Sequence, residues 1–169
     1  MWCELEMKII NIEKKFFINL FLVILIFLID RISKIYVIDL DKKFLGSEIF
    51  SSKFLNINLI WNEGVAFGLL RFEKDTFYNF LTIFILLIII GIFFVLIRSE
   101  SLKRFSFLLI LGGALGNLFD RIVYRAVPDF IDFHVGNFHW FIFNMADIFI
   151  TFGVISIIIL EFTDNNKEN

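Results

Sequence analysis

The chain has 169 residues, of which 59% are apolar and 20% are charged, and its formal net charge at pH 7 is −2. A charge this close to neutral indicates neither a nucleic-acid partner nor a polybasic membrane clamp. The single cysteine, Cys3, excludes an internal disulfide and a cysteine-based zinc site, and the two histidines, His134 and His139, are too few for a histidine-based metal site.

The apolar residues are gathered in four blocks of about 20 residues, the length that a helix needs to cross a hydrocarbon core of roughly 30 Å. An ordinary globular domain is only about 45–50% apolar. The pattern therefore predicts an all-α membrane protein with four transmembrane helices in a single domain, residues 1–169. The predicted helices cover about residues 16–38, 77–97, 105–124 and 139–160.

An outer loop, residues 39–76, separates the first two predicted helices. From Leu55 to Asn62, apolar and polar side chains alternate with one lapse at Ile60, which is the period of a half-buried strand. A turn signal follows, and residues 65–70 are apolar enough to rest on the membrane surface. The loop therefore predicts a small outer sheet followed by an interfacial segment.

The basic residues predict the orientation of the bundle. They crowd the start of the first helix and the short connection between the second and third, as Lys8, Lys14, Lys15, Arg98, Lys103 and Arg104. The outer loop instead holds five basic residues against six acidic ones. The positive-inside rule therefore favours cytoplasmic termini, with residues 163–169 as a solvated tail.

The polar residues of the four blocks fall in the outer half of the predicted bundle. Asp30 and Lys34 are spaced i and i+4, which lets them pair. Asn144 and Asp147, at i and i+3, point the same way from the start of the fourth helix. One face of the third helix carries Gly113, Gly116, Asn117, Asp120 and Arg121, and the connection that follows carries Asp129 and Asp132.

Asp147 raises the question of what compensates a carboxyl group inside a membrane helix. If that helix begins near His139, Asp147 lies about 12 Å along its axis, where an acid costs about 2.5–3.5 kcal/mol unless it has a partner or a task. Asp129 is its candidate companion, because it lies in the short connection leading into the same helix. Two carboxyls in a poorly solvated site cannot both ionise, so one holds a proton while the other takes one from a bound water. The pair predicts acid–base hydrolysis with water as the nucleophile.

Structural roles are open for several of these residues. Asp30 with Lys34, and Asp120 with Arg121, would ordinarily be structural ion pairs. Gly112 and Gly116 have the GxxxG spacing, whose usual meaning is close helix packing, and Asp132 can be a solvated loop acid.

Two other functions compete with hydrolysis. One is an ion or proton pathway in which Asp30, Asp120 and Asp147 form a relay. A relay should extend acids toward the cytoplasmic side, and the inner halves of the predicted helices lack them. The other is a non-catalytic assembly factor, which would tolerate Asp129→Asn.

Five blocks in chain order resemble the lipoprotein signal peptidase family, also called signal peptidase II, of bacterial membrane aspartic proteases. They are DRISK (residues 30–34), NEGVAFG (62–68), GGALGNLFDR (112–121), VPDF (127–130) and FNMAD (143–147). The resemblance covers nearly the whole chain, from the first helix to the fourth. It implies four transmembrane helices with a small outer β-cradle and a short periplasmic amphipathic helix.

The resemblance also implies the chemistry. The family cuts lipid-modified prolipoproteins before a cysteine that carries a diacylglyceryl group. It does so in the bacterial inner membrane, in contact with membrane lipid, and without a metal or organic cofactor. We therefore expect a monomer whose active site faces outward. By the motif match, Asp129 and Asp147 are catalytic. The residues that would line or orient the site are Asn62, Asn117, Arg121 and Asn144, and those that would support it are Asp30, Lys34, Gly113 and Asp120.

Overall fold

A computed structural model describes residues 2–64 and 74–165 of the chain. Within them the helices are α1 (Trp2–Lys43), α2 (Lys74–Arg98), α3 (Ser101–Tyr124) and α4 (Met145–Asn165). The strands are β1 (Phe50–Ser51), β2 (Leu55–Asn62), β3 (Val127–Val135) and β4 (Phe138–Phe143). Strands β1 and β2 connect α1 to the chain before α2, and β3 and β4 connect α3 to α4.

Each of the four helices contains a segment long and apolar enough to cross a membrane, which agrees with the predicted architecture. The helices extend beyond the apolar blocks, since α1 continues to Lys43 and α2 begins at Lys74. The outer loop between them is therefore shorter than the predicted 39–76. The expected interfacial segment, residues 65–70, lies outside the described residues.

Helix α3 is the central helix of the bundle, because it packs against α1, α2 and α4. Its glycines allow this close approach. Gly112 and Gly116 face α1, where a Cβ atom would meet Ile26 and Asp30, whereas Gly113 faces α4. The GxxxG spacing thus marks a close helix–helix contact, as the sequence indicated.

We expect Gly116→Ala to destabilise the bundle by about 1–3 kcal/mol, because its Cβ would stand 2.5 Å from the Asp30 Oδ2 atom, which is held in place by other contacts. Thermal denaturation of the purified protein in detergent would measure the change. Gly91→Ala in α2 is the matched control, since nothing lies within 4 Å of its added methyl group. Equal melting temperatures for the two variants would contradict the packing argument.

The four strands form one antiparallel sheet in the order β1-β2-β3-β4. Strand β2 covers the residues predicted for it, Leu55–Asn62. Its pairing with β3 shifts register between Ile57, which lies opposite Ile131, and Ile60, which lies opposite Asp129. This is a β-bulge with one extra residue in β2. The lapse in alternation at Ile60 is therefore the sequence trace of the bulge.

The predicted start of the fourth helix near His139 is wrong, because α4 begins at Met145. The preceding residues form the β3–β4 hairpin, which reverses at Gly136 and Asn137, with Gly136 at φ +61°. A Gly-Asn pair between aromatic and β-branched runs is a hairpin signal. Apolar content alone did not distinguish this hairpin from the first turns of a helix.

Candidate active site

Asp147 lies in the first turn of α4, three residues after Asn144. The Asp147 N–H donates to Asn144 Oδ1 at 3.2 Å, and the Asn144 N–H donates to Asp147 Oδ2 at 3.1 Å. This reciprocal pair is a capping box, which satisfies two backbone donors at the start of a helix. Asp147 therefore sits at the positive end of the helix dipole, where a carboxylate is favoured, and not deep along the helix as the sequence predicted.

Asp129 lies on β3 rather than in an irregular connection, and only 4% of it is exposed. Two side-chain amides donate to its carboxylate. Asn62 Nδ2 donates to Oδ2 at 2.9 Å, and Asn144 Nδ2 donates to Oδ1 at 2.6 Å. The bulge in β2 lies beside this residue, between Ile57 and Ile60.

Asn144 connects the two acids. Its side chain donates to Asp129, while its backbone and side chain exchange hydrogen bonds with Asp147. Asn117 of α3 completes the connection, because its Nδ2 donates to Asp147 Oδ1 at 2.8 Å and its Oδ1 accepts from Asn144 Nδ2 at 3.2 Å. One buried asparagine thus holds a carboxyl from the sheet and a carboxyl from α4 in a shared network.

Burial raises the pKa of Asp129 to about 6, because loss of hydration penalises its charged form most strongly. The hydrogen bonds from Asn62 and Asn144 and the positive charge of Lys34 lower this pKa, and the negative charge of Asp147 raises it. A buried acid with a raised pKa beside a second acid is a typical arrangement of catalytic carboxyls.

An ion cluster of Asp30, Arg31, Lys34 and Asp120 lies behind this network. Lys34, which is fully buried, uses its ammonium donors on Asp30 Oδ2 at 2.9 Å, Asn117 Oδ1 at 2.8 Å and Asp120 Oδ2 at 2.7 Å. Arg31 donates to Asp120 Oδ2 at 2.6 Å and to Asp30 Oδ2 at 3.0 Å. Two acids and two cations balance, as buried charges require.

The ion cluster also positions α4. The Ala146 N–H donates to Asp30 Oδ1 at 3.0 Å, so a carboxylate from α1 satisfies a backbone donor at the start of α4. Gly113 makes this approach possible, since a Cβ there would stand 2.5 Å from the Ala146 carbonyl oxygen. Asp30 and Gly113 thereby support the turn that carries Asp147.

A cavity of about 670 Å³ opens beside Asp129. Its walls come from β2 and the turn after it, α2, α3, β3 and β4, and include Trp61, Asn62, Gly64, Leu81, Arg121 and Asp129. This volume lies within the range of pockets that enclose small ligands. Asp147 is connected to the cavity wall through Asn144 and Asp129.

The predicted ion pair of Asp120 with Arg121 is wrong, because Asp120 forms salt bridges with Arg31 and Lys34 of α1. Arg121 instead points its Nη1 at the Asn117 carbonyl of its own helix, at 3.2 Å. Its buried Nε has no hydrogen-bond partner among the residues that the structure describes. Arg31 was missed as a member of the ion cluster, although the DRISK block contains it.

The other predicted site residues meet at the sheet end of the bundle. Asn62, Asn117 and Asn144 contact the two acids directly, and Asp30, Lys34 and Asp120 form the cluster behind them. Asp132 is not a solvated loop acid, because it is 6% exposed and its Oδ2 lies 2.8 Å from His139 Nδ1.

Comparison with known proteins finds the same family along the chain. Residues 22–163 match the family model described as signal peptidase (SPase) II. The lipoprotein signal peptidase of Pelagibacter ubique (strain HTCC1062) is 48% identical over 155 residues, covering 92% of this chain and 93% of that protein. The lipoprotein signal peptidase of Francisella tularensis subsp. novicida (strain U112) is 40% identical over 156 residues, covering 90% and 94%.

Two solved structures of bacterial membrane enzymes have a similar fold. One has a TM-score of 0.70 at 30% identity and covers 89% of this chain and 91% of its own. The other has a TM-score of 0.69 at 33% identity and covers 84% and 90%.

Proposed function

Because the chain belongs to the signal peptidase II family, whose members remove signal peptides from lipoproteins, we propose that it performs this cleavage as an aspartic endopeptidase with Asp129 and Asp147 as its catalytic pair. It is a multi-pass membrane protein and a protease. The aspartic mechanism and the residues that carry it are the proposal.

One observation carries the proposal: Asn144 hydrogen-bonds the carboxyls of both Asp129 and Asp147. The two acids are thereby held in one network, with Asp147 at the start of α4 and Asp129 in the wall of a cavity that could receive a peptide. In the described residues the other buried acids of the bundle, Asp30 and Asp120, are neutralised by cations. Asp30 and Asp120 are therefore poorly suited to a proton relay.

The proposed reaction uses one proton shared by the pair. The ionised carboxyl takes a proton from a bound water, whose oxygen attacks the scissile carbonyl, while the protonated carboxyl hydrogen-bonds that carbonyl. The peptide C–N bond then breaks as the amine receives a proton from the pair, and the pair returns to its singly protonated state. Asn62, Asn117 and Asn144 fix the carboxyls in place by donating to them. Arg121 lines the cavity and would orient the substrate there.

We propose a lipid-modified prolipoprotein as substrate, cut before its diacylglyceryl cysteine. The acids lie where the helices meet the sheet, so a peptide could reach them from water while its lipid chains stay in the bilayer. From the distribution of basic residues we infer that both termini are cytoplasmic and that the site faces outward from the bacterial inner membrane. We propose that the enzyme acts as a monomer.

Incubation of the purified protein with one precursor in lipidated and unlipidated forms tests the substrate. We expect mass spectrometry to find a released signal peptide and a mature chain beginning with the lipidated cysteine, from the lipidated precursor alone. Equal cleavage of both forms would contradict the requirement for lipid, and cleavage of neither would contradict the proposed activity.

The raised pKa of Asp129 predicts a pH profile. The reactive pair needs one proton, and a pair in which the pKa of Asp129 is about 6 loses that proton as the pH rises through this value. We therefore expect kcat/KM to fall on the alkaline side with a midpoint of about 6.

Asn62→Ala provides a check on the cause of this pH profile. It removes a hydrogen bond that lowers the pKa of Asp129, so the midpoint should move to higher pH. Values of kcat/KM measured with the lipidated precursor from about pH 4 to 9 give this midpoint for the wild type and for Asn62→Ala. An activity that rises steadily through this range, or a midpoint that Asn62→Ala moves downward, would contradict the assignment.

A further inference from the structure

We infer that Asp132, His134 and His139 bind a divalent transition metal ion, Zn²⁺ foremost, on the β3–β4 hairpin and apart from the catalytic pair. Each of the three residues offers one ligand atom, and these atoms lie within 4.8 Å of one another. The inference concerns a site that the proposed peptidase reaction does not use.

The hairpin brings the three side chains together. His134 of β3 lies directly opposite His139 of β4 in the antiparallel register, and their rings stack with centroids 5.0 Å apart. Asp132, two residues before His134 on β3, approaches His139 with its Oδ2 atom 2.8 Å from Nδ1. Side chains at i and i+2 share one face of a strand, so both β3 residues are presented toward the same β4 side chain.

Two buried polar atoms of these residues are available as metal ligands. Asp132 is 6% exposed and His134 is 8% exposed. Nevertheless, Asp132 Oδ1 and His134 Nδ1 have no hydrogen-bond partner among residues 2–64 and 74–165. Buried polar groups are ordinarily satisfied, and leaving one unsatisfied destabilises the folded state. A metal ion accepting electron pairs from both residues would remove this cost.

The donor set selects the metal. Two imidazole nitrogens and one carboxylate oxygen form a ligand set that Zn²⁺ uses, with water in the fourth position. The exposed side chain of His139 leaves room for that water. Ca²⁺ and Mg²⁺ prefer oxygen ligands throughout and fit less well. Tetrahedral ligands at about 2.0–2.1 Å from Zn²⁺ stand roughly 3.3 Å apart, so small side-chain rotations would close the site.

The sequence alone does not predict this site, because two histidines are too few for a histidine-based metal site. Asp132 supplies the third ligand, and this became visible only when β3 and β4 were paired. A bound ion would link β4, which directly precedes α4, to β3, which carries Asp129. By mass action it would also stabilise the folded protein.

Metal titration of the tag-free, full-length protein in detergent tests the inference. A Cys3→Ser background removes the only thiol, and a chromophoric chelator measures the competition for Zn²⁺. We expect one ion per chain, a raised melting temperature on addition of Zn²⁺, and a Co²⁺ derivative with the absorption bands of a tetrahedral site. His139→Gln, which alters an exposed ring, and Asp132→Asn should each weaken binding at least about tenfold.

Glu48→Gln is the matched control, because it removes an exposed acidic charge outside the cluster and should leave the affinity unchanged. A melting temperature measured without metal shows whether each variant remains folded, and His139→Gln decides the matter if Asp132→Asn does not fold. Absence of binding at micromolar Zn²⁺ would overturn the inference, as would an affinity that His139→Gln leaves unchanged.

Discussion

Replacement of Asp129 or Asp147 by asparagine is expected to lower kcat/KM for a lipidated precursor by at least about 10³-fold. Either substitution leaves one carboxyl, which cannot both hold the shared proton and accept one from water. Asparagine has nearly the same shape as aspartate, so the hydrogen-bonded surroundings should be preserved in large part. Mass spectrometry of the products, taken over a time course, measures the loss.

The folded state of these variants must be measured alongside their activity. Each Asn variant should insert in the membrane and show a cooperative thermal transition in detergent. Asp39→Asn is the control for loss of an acid, because Asp39 is an exposed residue near the end of α1 that pairs only with Lys43 in the contacts described, and it should keep its activity. Substantial processing by a folded Asp129→Asn or Asp147→Asn variant would contradict the catalytic assignment.

Lys34→Met is expected to lower the free energy of unfolding by about 3–5 kcal/mol. Lys34 is fully buried and its ammonium group lies 2.9 Å from Asp30 and 2.7 Å from Asp120. Methionine keeps the length of the side chain but leaves the two acids with Arg31 as their only cation in the cluster. Equilibrium unfolding in mixed micelles, or the melting temperature in detergent, measures the loss.

The same helix provides a matched control for this substitution. Lys43 pairs with Asp39 at the same i, i+4 spacing as Lys34 with Asp30, but both side chains of this pair are exposed. Lys43→Met should therefore leave stability nearly unchanged, since water screens exposed pairs. A second Asp120→Asn substitution in the Lys34→Met protein restores charge balance and should recover part of the lost stability. A double variant less stable than Lys34→Met alone would contradict the charge-balance account.

The helices and the strand β2 were predictable because their signals are local. A run of about 20 apolar residues has few alternatives to a membrane helix, and the alternation from Leu55 to Asn62 predicted the strand. The bulge between Ile57 and Ile60 was not predicted, although the lapse at Ile60 marks it. The spacing of Gly112 and Gly116 likewise predicted a helix contact, although it did not identify α1 as the partner.

The β3–β4 hairpin was missed because aromatic and β-branched residues are apolar in both a strand and a membrane helix. The capping box of Asn144 and Asp147 was the available signal for the true start of α4. Had it been weighed above the apolar count, His139 would have been excluded from the helix. The free-energy cost expected for an acid deep in a membrane helix then does not apply to Asp147, because Asp147 lies in the first turn of α4.

The ion cluster could be predicted only in part, because its members come from α1 and α3, which are far apart in sequence. The i, i+4 spacing predicted Asp30 with Lys34, and this pair is confirmed. Adjacent residues in a helix point in different directions, and for this reason Asp120 turned toward Arg31 and Lys34 while Arg121 turned toward the cavity. Pairing across helices requires the fold itself.

A double-substitution cycle tests most directly whether the two acids act as one catalytic unit. The value of kcat/KM would be measured for the wild type, Asp129→Asn, Asp147→Asn and the double variant, with the same lipidated precursor. If the carboxyls share one proton and one water, the double variant should be no slower than either single variant, within about threefold. Losses that multiply in the double variant would show that the two residues act independently and would contradict the paired mechanism.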